Sequence, residues 1–366
     1  LNSRSRLRTS LVIQKLRFMN KRDFIQTLSL GIASLPFMST VAGATSSAST
    51  VAIKGKALQL GGTIGLIAPS SALDEEDSIS QTREVFETLG FKVKEGQYIR
   101  ARYGNLAGTD EERLADLHAM FADPSVDAIV CLRGGTGASR LLDRIDYKLI
   151  AKHPKPFLGY SDVTALLLAF QAKVGMLSFH GAVGTSTWNK NLADAFTKQF
   201  IGNEQQQFKN PVDKGDNLIV YKDRIRTIYP GRAEGPLLGG NLTLITGLCG
   251  SSYLPDFKGS ILFVEEVEED MSRMERMFCQ LKNAGILNDI SGFIFGNCTS
   301  CTPSKGYGSL TLQQLFSDYI EPLNIPAYAG AKIGHISNQF ILPVGARVRM
   351  DAEQGTIDML EKALSY

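Results

Sequence analysis

The chain has 366 residues, of which 43% are hydrophobic and 21% charged, ordinary values for globular proteins that exclude the disordered and fibrous classes. This length exceeds what one hydrophobic core usually supports, so we expect two domains. Residues 1–44 hold seven Lys or Arg and one Asp, which leaves 32 basic and 36 acidic residues elsewhere, so most of the protein lacks the positive charge that nucleic-acid binding requires.

The basic N-terminal segment has the pattern of an export signal. Lys21-Arg22 precedes an apolar run rich in small residues, which ends at Ala42-Gly43-Ala44. Because Lys21-Arg22 is followed by Asp-Phe-Ile, it resembles a twin-arginine signal with Lys in the first position, and both the Tat and the Sec route stay open. We expect residues 1–50 to be signal and linker; the alternative is an amphipathic helix of the folded domain. If Met19 is the natural start, residues 1–18 are not native.

Beyond residue 50, no apolar run reaches the roughly 20 residues that a membrane-spanning helix needs. We therefore expect an exported, periplasmic protein with no stable membrane insertion after signal removal. The sequence leaves a homodimer open.

From residue 61 the pattern alternates between strands and helices, which is typical of a parallel sheet wound with helices on both faces. The predicted elements are strands at 61–69, 91–96, 126–135 and 156–161, and helices at 75–90, 109–123, 138–145 and 163–175. We assign this doubly wound α/β domain to residues 51–183. The loops that follow the strands collect at one edge of such a sheet, where chemistry usually occurs.

A polar, weakly periodic stretch at 184–232 is the expected domain connection, and a second, mixed α/β domain follows at 233–366. Its predicted elements are strands at 259–267 and 291–297, a helix at 272–285, and a hairpin at 346–360 with its turn near Gln354-Gly355.

Five cysteines are present, and only Cys298 and Cys301 are close in sequence. A zinc site needs a second such pair or nearby histidines, so we expect no metal. A local disulfide is one interpretation of this pair, and two buried thiols are the other.

Ser161 lies between an apolar strand and an unbroken apolar run, in "LGYSDVTALLL" (158–168). It is either a nucleophile on a turn or the cap of an ordinary helix. A nucleophilic serine needs a base, usually histidine held by a carboxylate. His118 sits mid-helix and His153 in a proline-flanked loop; His180 at a strand end and His335 in a glycine-bearing loop are nearly equal candidates.

Glu265 and Glu266 end the apolar strand "ILFVEEV", and either could supply the carboxylate. A run of acids is often a solvated strand end, but Glu265 directly follows four apolar residues, and a charge so close to a buried run needs a partner.

Backbone N–H groups for an oxyanion are available after Ser161 and in the loop from Arg133 to Gly137, where glycines allow close approach. A phosphate cradle is the alternative for that loop. It lacks the Gly-Lys-Ser/Thr ending of a P-loop and fits the dinucleotide fingerprint only weakly.

From about residue 61 to the C-terminus, a series of motifs resembles the LD-carboxypeptidase (muramoyltetrapeptide carboxypeptidase) family of serine peptidases, which includes the microcin immunity peptidases. The motifs are "LRGGTGASRLLDRIDY", "PKPFLGYSDVTALLLAF", "FHGAV", "GPLLGGNLTLITGL", "GSILFVEEVEE", "RMERMFCQLKNAG" and "GHISNQFILPVGARVRMD". The resemblance implies that the N-terminal domain carries the serine, that the C-terminal domain carries the glutamate and histidine, and that the active site lies between them.

Motif by motif, the resemblance assigns the nucleophile to Ser161, the carboxylate to Glu265 and the base to His335. It thereby decides between the histidines and makes His180 a structural or site-lining residue. It implies the backbone N–H groups of Asp162 and Gly135 as oxyanion donors. We further expect the Asp162 side chain to cap its own helix.

The substrate that the resemblance implies is a murein tetrapeptide that loses its terminal D-alanine, without any cofactor. The cationic candidates for the substrate carboxylate are Arg133, Arg273 and Arg276. His180 and Thr136 are further candidates for lining the pocket. Thr136, Ala182 and Ser272 depart from the residues that the family often has, so they bear on substrate identity. The alternatives are an immunity-type peptidase acting on another acylated or amidated small molecule, and a non-catalytic binding protein.

Overall fold

The structure is a computed structural model that describes residues 52–73, 75, 77–212 and 214–366. The expected export signal therefore lies outside the described residues. Within this part of the chain, every helix is too short or too polar to cross a membrane.

The elements alternate along the chain as the hydrophobic pattern predicts. The strands are β1 (Thr63–Ile67), β2 (Lys92–Glu95), β3 (Ala128–Cys131), β4 (Phe157–Gly159), β5 (Ser178–His180), β6 (Gln207–Lys209), β7 (Arg226–Tyr229), β8 (Arg232–Asn241), β9 (Ile261–Val267), β10 (Gly292–Thr299), β11 (Ala327–Ala329), β12 (Leu342–Val344), β13 (Arg347–Asp351) and β14 (Thr356–Met359). The helices are α1 (Asp77–Thr88), α2 (Asp110–Ala122), α3 (Tyr147–Lys152), α4 (Thr164–Val174), α5 (Lys190–Thr197), α6 (Leu242–Gly247), α7 (Met271–Asn283), α8 (Ile286–Asp289) and α9 (Leu312–Tyr319).

The first sheet has six strands in the order β12-β5-β4-β3-β1-β2. The five strands from the N-terminal half are parallel, which confirms the doubly wound prediction, and β12 from the C-terminal half pairs antiparallel with β5 at one edge. The carboxyl ends of the parallel strands consequently meet at one edge.

The second sheet is mixed, with eight strands in the order β6-β14-β13-β8-β9-β10-β11-β7. Its central strands β8, β9, β10 and β11 are parallel, and antiparallel strands flank them on both sides. The predicted connection at 184–232 contributes β6 and β7 to the two edges of this sheet. The predicted hairpin at 346–360 is confirmed as β13 and β14.

Helix α4 explains the unbroken apolar run after Ser161. Its residues from Thr164 to Phe170 are all buried, and it contacts both β5 of the first sheet and β8 of the second. A helix with apolar residues all round needs protein on every side. The helix that follows the serine is therefore part of the core that joins the two sheets.

One predicted helix is wrong. Residues 138–145 form only a short 3-10 turn at Ala138–Leu141, and the helix of this region is α3. The Asp146 carboxylate caps α3 by accepting the N–H groups of Lys148 and Leu149, both at 3.0 Å. This capping sets the helix start at Tyr147, nine residues after the predicted start at 138.

Candidate active site

Ser161 occupies a sharp turn between β4 and α4. Its backbone has φ of +61°, a left-handed conformation that costs a non-glycine residue free energy. A Cβ at Gly159 would lie 2.6 Å from a methyl carbon of Val163, so only glycine lets the chain fold back so tightly there. Strain on a strand-to-helix turn that presents a serine at the edge of a sheet is a feature of nucleophilic serines.

The structure brings Ser161, Glu265 and His335 together. Ser161 lies 174 residues before His335 in the sequence, and Glu265 lies 70 residues before it. His335 Nε2 lies 3.1 Å from Ser161 Oγ, and His335 Nδ1 lies 2.8 Å from Glu265 Oε2. The Glu265 side chain is completely buried, whereas the His335 side chain is 20% exposed. The imidazole therefore bridges a buried carboxylate and a hydroxyl at the protein surface.

Glu265 lies on β9, in the middle of the second sheet, with Asn241 of β8 beside it in register. Glu266 points elsewhere: its carboxylate accepts hydrogen bonds from the Asn241 amide at 2.9 Å and from the Thr243 backbone and hydroxyl at 2.8 Å. Burial raises the pKa of Glu266. Because neighbouring strand residues face opposite ways, only one of the two glutamates can reach His335.

Gly334 allows His335 to approach Glu265. The sequence by itself offers no physical reason for a glycine at this position. Gly334 has φ of +109°, and a Cβ on it would lie 2.7 Å from Glu265 Oε2. The loop between β11 and β12 can thus approach the buried carboxylate only with glycine at this position. The signal available in the sequence was the Gly-His pair itself.

The glycine loop after β3 packs directly against the serine. A Cβ on Gly134 would lie 2.8 Å from the Cβ of Ser161 and 3.3 Å from the backbone nitrogen of Asp162. Gly135 is exposed and has φ of +106°. In the part of the chain that the structure describes, the N–H groups of Asp162 and Gly135 donate to no protein acceptor.

The Asp162 side chain does not cap its own helix, and our expectation was wrong. Its Oδ2 accepts the backbone N–H of Ala138 at 2.8 Å, while α4 begins without any side-chain cap. Asp162 is 4% exposed, and this burial raises its pKa. The carboxylate therefore ties the end of the glycine loop to the turn that carries Ser161, which no local pattern could indicate.

His180 lies beneath the site. It is completely buried, and burial lowers its pKa to about 3, so the ring is neutral at physiological pH. Its ring centroid is 6.0 Å from that of Tyr160, whose own ring is 4.8 Å from the His335 ring. Tyr160 thus separates the two histidines.

The other predicted contacts to substrate are engaged with protein groups. The Arg133 guanidinium donates to the Ala72 carbonyl at 3.0 Å, and the Thr136 hydroxyl accepts from the Asn105 amide at 2.7 Å. Arg273 pairs with Glu269 at 2.6 Å, and it lines with Arg276 a separate surface depression that none of Ser161, Glu265 and His335 borders.

A cavity of about 290 Å³ opens beside Tyr160 and His335. Its walls include Tyr160, Ala182, His335, Asn338 and Gln339. Among the described residues, no group of three or more His, Cys, Asp or Glu is arranged to hold a metal ion.

Cys298 and Cys301 form a disulfide, the first of our two interpretations. The loop that it closes supports the site, because the hydroxyl of Thr299 donates to the backbone carbonyl of His335 at 3.2 Å.

This arrangement can carry out acyl transfer. The imidazole can take the proton of the serine hydroxyl, and the buried carboxylate can orient the ring and stabilise its charged form. Backbone N–H groups near the hydroxyl can stabilise an oxyanion.

Comparison with known proteins agrees with this geometry. Residues 64–181 match the LD-carboxypeptidase N-terminal domain, and residues 234–350 match the LD-carboxypeptidase C-terminal domain. A probable murein peptide carboxypeptidase of Bacillus subtilis (strain 168) is 38% identical over 306 residues, which cover 83% of this chain and 93% of that protein. The Microcin C7 self-immunity protein MccF of Escherichia coli is 26% identical over 333 residues, which cover 84% and 96%.

Among solved structures, the muramoyltetrapeptide carboxypeptidase from Oxalobacter formigenes superposes with a TM-score of 0.69 at 28% identity, covering 81% of this chain and 97% of that one. Two domain models that match in order, together with a relative at 38% identity over most of both chains, are more than a shared fold. The chain belongs to the LD-carboxypeptidase family.

Proposed function

We propose that the protein is a serine peptidase that removes a terminal D-amino acid from a murein tetrapeptide by cleaving the bond between an L-centre and D-alanine. The observation that carries the proposal is the hydrogen-bonded series Ser161–His335–Glu265 in a member of this family. The names of the related carboxypeptidases support murein peptides as the substrate class.

In the proposed mechanism, Ser161 Oγ attacks the carbonyl carbon while His335 Nε2 takes the hydroxyl proton. Glu265 Oε2 accepts the hydrogen bond from His335 Nδ1 and balances the charge that forms on the ring. The N–H groups of Asp162 and Gly135 stabilise the oxyanion. His335 then protonates the leaving amine of D-alanine, and water hydrolyses the ester on Ser161.

We also propose that the protein acts after export, in the periplasm. This rests on the basic and apolar pattern of residues 1–50. It also rests on the substrate class, because murein peptides occur outside the cytoplasmic membrane in addition to their occurrence in recycling.

The test incubates the mature protein with purified muropeptides and follows products by mass spectrometry. We expect tetrapeptides to lose one D-alanine and pentapeptides to stay intact. Ser161→Ala should abolish turnover, because residual catalysis without a nucleophile is typically about 10⁴-fold or more below the intact enzyme. Ser125→Ala, an exposed serine in the loop that precedes β3, is the matched control and should leave turnover unchanged.

A second candidate function is supported by the relative MccF, which is described as a self-immunity protein. A peptidase of that type would use the same three residues on another acylated or amidated small molecule. No change in any muropeptide, combined with Ser161-dependent hydrolysis of an aminoacyl nucleotide analogue, would favour this function.

A further inference from the structure

Two cavities meet at Asn338 and Gln339, which line both of them. The first is the cavity of about 290 Å³ beside Tyr160 and His335, and the second has about 380 Å³ and lies between α5, β6 and the residues around Phe340. Helix α5 borders both, with Leu192 in the first wall and Asn191 in the second. The two cavities therefore adjoin at these residues and form one groove that starts at His335.

Where the two cavities meet, two side-chain oxygens accept no hydrogen bond from any described residue. Gln339 is only 5% exposed, and its Oε1 has no hydrogen-bond partner among the described residues. Asn338 Oδ1 is equally unsatisfied there. Buried acceptors without a partner are rare and costly, so a ligand N–H at this position would stabilise the site.

The second cavity is positively charged. Lys198, Lys209 and Lys332 line it together with one carboxylate, Asp194. Asp223 neutralises Lys332 at 2.8 Å, and Lys190 neutralises Asp194 at 2.6 Å. This leaves the charges of Lys198 and Lys209, which are exposed and form no ion pair with any described residue.

We propose that this groove, which we name the distal groove, binds the acyl side of the peptide substrate and recognises a second carboxylate on it. The inference rests on the proposed function. A carboxypeptidase releases a single terminal residue, so a groove of this extent fits only the part of the peptide that stays on the serine. The oxygens of Asn338 and Gln339 accept its peptide N–H groups, and Lys198 and Lys209 bind an acidic residue further along it.

The experiment measures binding of the tripeptide L-alanyl-γ-D-glutamyl-L-lysine to the mature protein by calorimetry, and in parallel the turnover of the matching tetrapeptide ending in D-alanine. The double variant Lys198→Glu/Lys209→Glu should bind the tripeptide about tenfold or more weakly. Amidating the free α-carboxylate of the γ-linked glutamyl residue, which gives the D-isoglutamine tripeptide, should remove most of this difference. Lys92→Glu/Lys258→Glu, which changes two exposed lysines that line neither cavity, is the control for net charge.

Gln339→Met keeps the length of the side chain and removes its oxygen, and it should weaken binding about fivefold. Asn338→Gly is the second test if that variant does not fold, because Asn338 has φ of +57° and glycine adopts this conformation without strain. If the lysine variants bind both tripeptides as the wild type does, the distal groove is wrong. If the tripeptide binds as expected and the tetrapeptide is not cleaved, the groove stands and the proposed hydrolysis fails.

Discussion

His335 Nδ1 lies 2.8 Å from Glu265 Oε2, a carboxylate with no exposed surface. A buried charge without a partner is strongly unfavourable, so the imidazole and the carboxylate depend on each other. Glu265 is held on the central strand of a sheet, which makes it the fixed member of the pair.

Glu265→Gln should reduce kcat about 10³-fold with little change in KM. The amide keeps the shape of the side chain but removes the charge and favours the wrong tautomer of His335. Steady-state kinetics on the tetrapeptide measure the effect. Glu234→Gln, on the exposed side of β8, is the control and should stay within twofold of the wild type. A Glu265→Gln enzyme with near-normal kcat would remove Glu265 from the proposed mechanism.

Gly334→Ala should reduce kcat at least about 100-fold, because its methyl group would meet the Glu265 side chain and push His335 away from Ser161. Gly306→Ala is the matched control, since Gly306 has φ of +111° and no atom within 4 Å of an added Cβ. Both variants carry the backbone cost of about 1–2 kcal/mol, and only the first carries the clash. Equal loss of kcat in the two variants would contradict the role of close packing at Gly334.

The disulfide Cys298–Cys301 should stabilise the loop behind His335. It closes a loop of four residues, for which the entropic contribution is about 2 kcal/mol. Cys298→Ser/Cys301→Ser should lower the free energy of unfolding by about that amount and reduce kcat modestly, through the Thr299–His335 hydrogen bond. Urea unfolding and kinetics are compared with and without reductant. The double variant should not respond to reductant; a response equal to that of the wild type would place the redox effect elsewhere.

Asp116 should make stability depend on pH. It lies on α2 and is 4% exposed, and burial raises its pKa to about 6. The hydrogen bond from the Tyr98 backbone lowers the pKa and offsets only part of this effect. Because the folded-state pKa is raised, the folded state binds the proton more tightly than the unfolded state. This contribution to stability is complete below about pH 4 and is lost as the pH rises through about 6.

The loss amounts to at most about 3 kcal/mol, at about 1.4 kcal/mol per pKa unit. Asp116→Asn cannot titrate, so its free energy of unfolding should fall less between about pH 4.5 and about pH 7.5. Urea unfolding across this range measures the difference. Identical pH dependence in both proteins would show that Asp116 does not titrate in this range.

The alternation of apolar and polar residues was sufficient to predict the parallel sheet, because helices and strands have different periods and their order limits the topology. The same pattern failed at 138–145, where the capping carboxylate of Asp146 starts the helix later. It also could not predict β12, since that strand pairs with a partner more than 160 residues earlier in the chain.

For the site, spacing placed Ser161 on a turn and Glu265 at a strand end but left His180 and His335 nearly equal. The difference between them is burial, and burial depends on what packs around each ring: His180 is enclosed by Tyr160 and Phe263, whereas His335 reaches the surface. The roles assigned to Asp162 and Gly135 as oxyanion donors remain predictions.

By itself, the sequence determined the fold class, the family and the identity of the three residues that now lie within hydrogen-bond distance, because motif order and local periodicity are properties of the chain alone. Only the tertiary structure decided which side chains remain available to a substrate. Arg133, Thr136 and Arg273 are engaged with protein groups, while the oxygen of Gln339 is not. Hydrogen-bond satisfaction depends on residues that are distant in sequence, so no local pattern contains it.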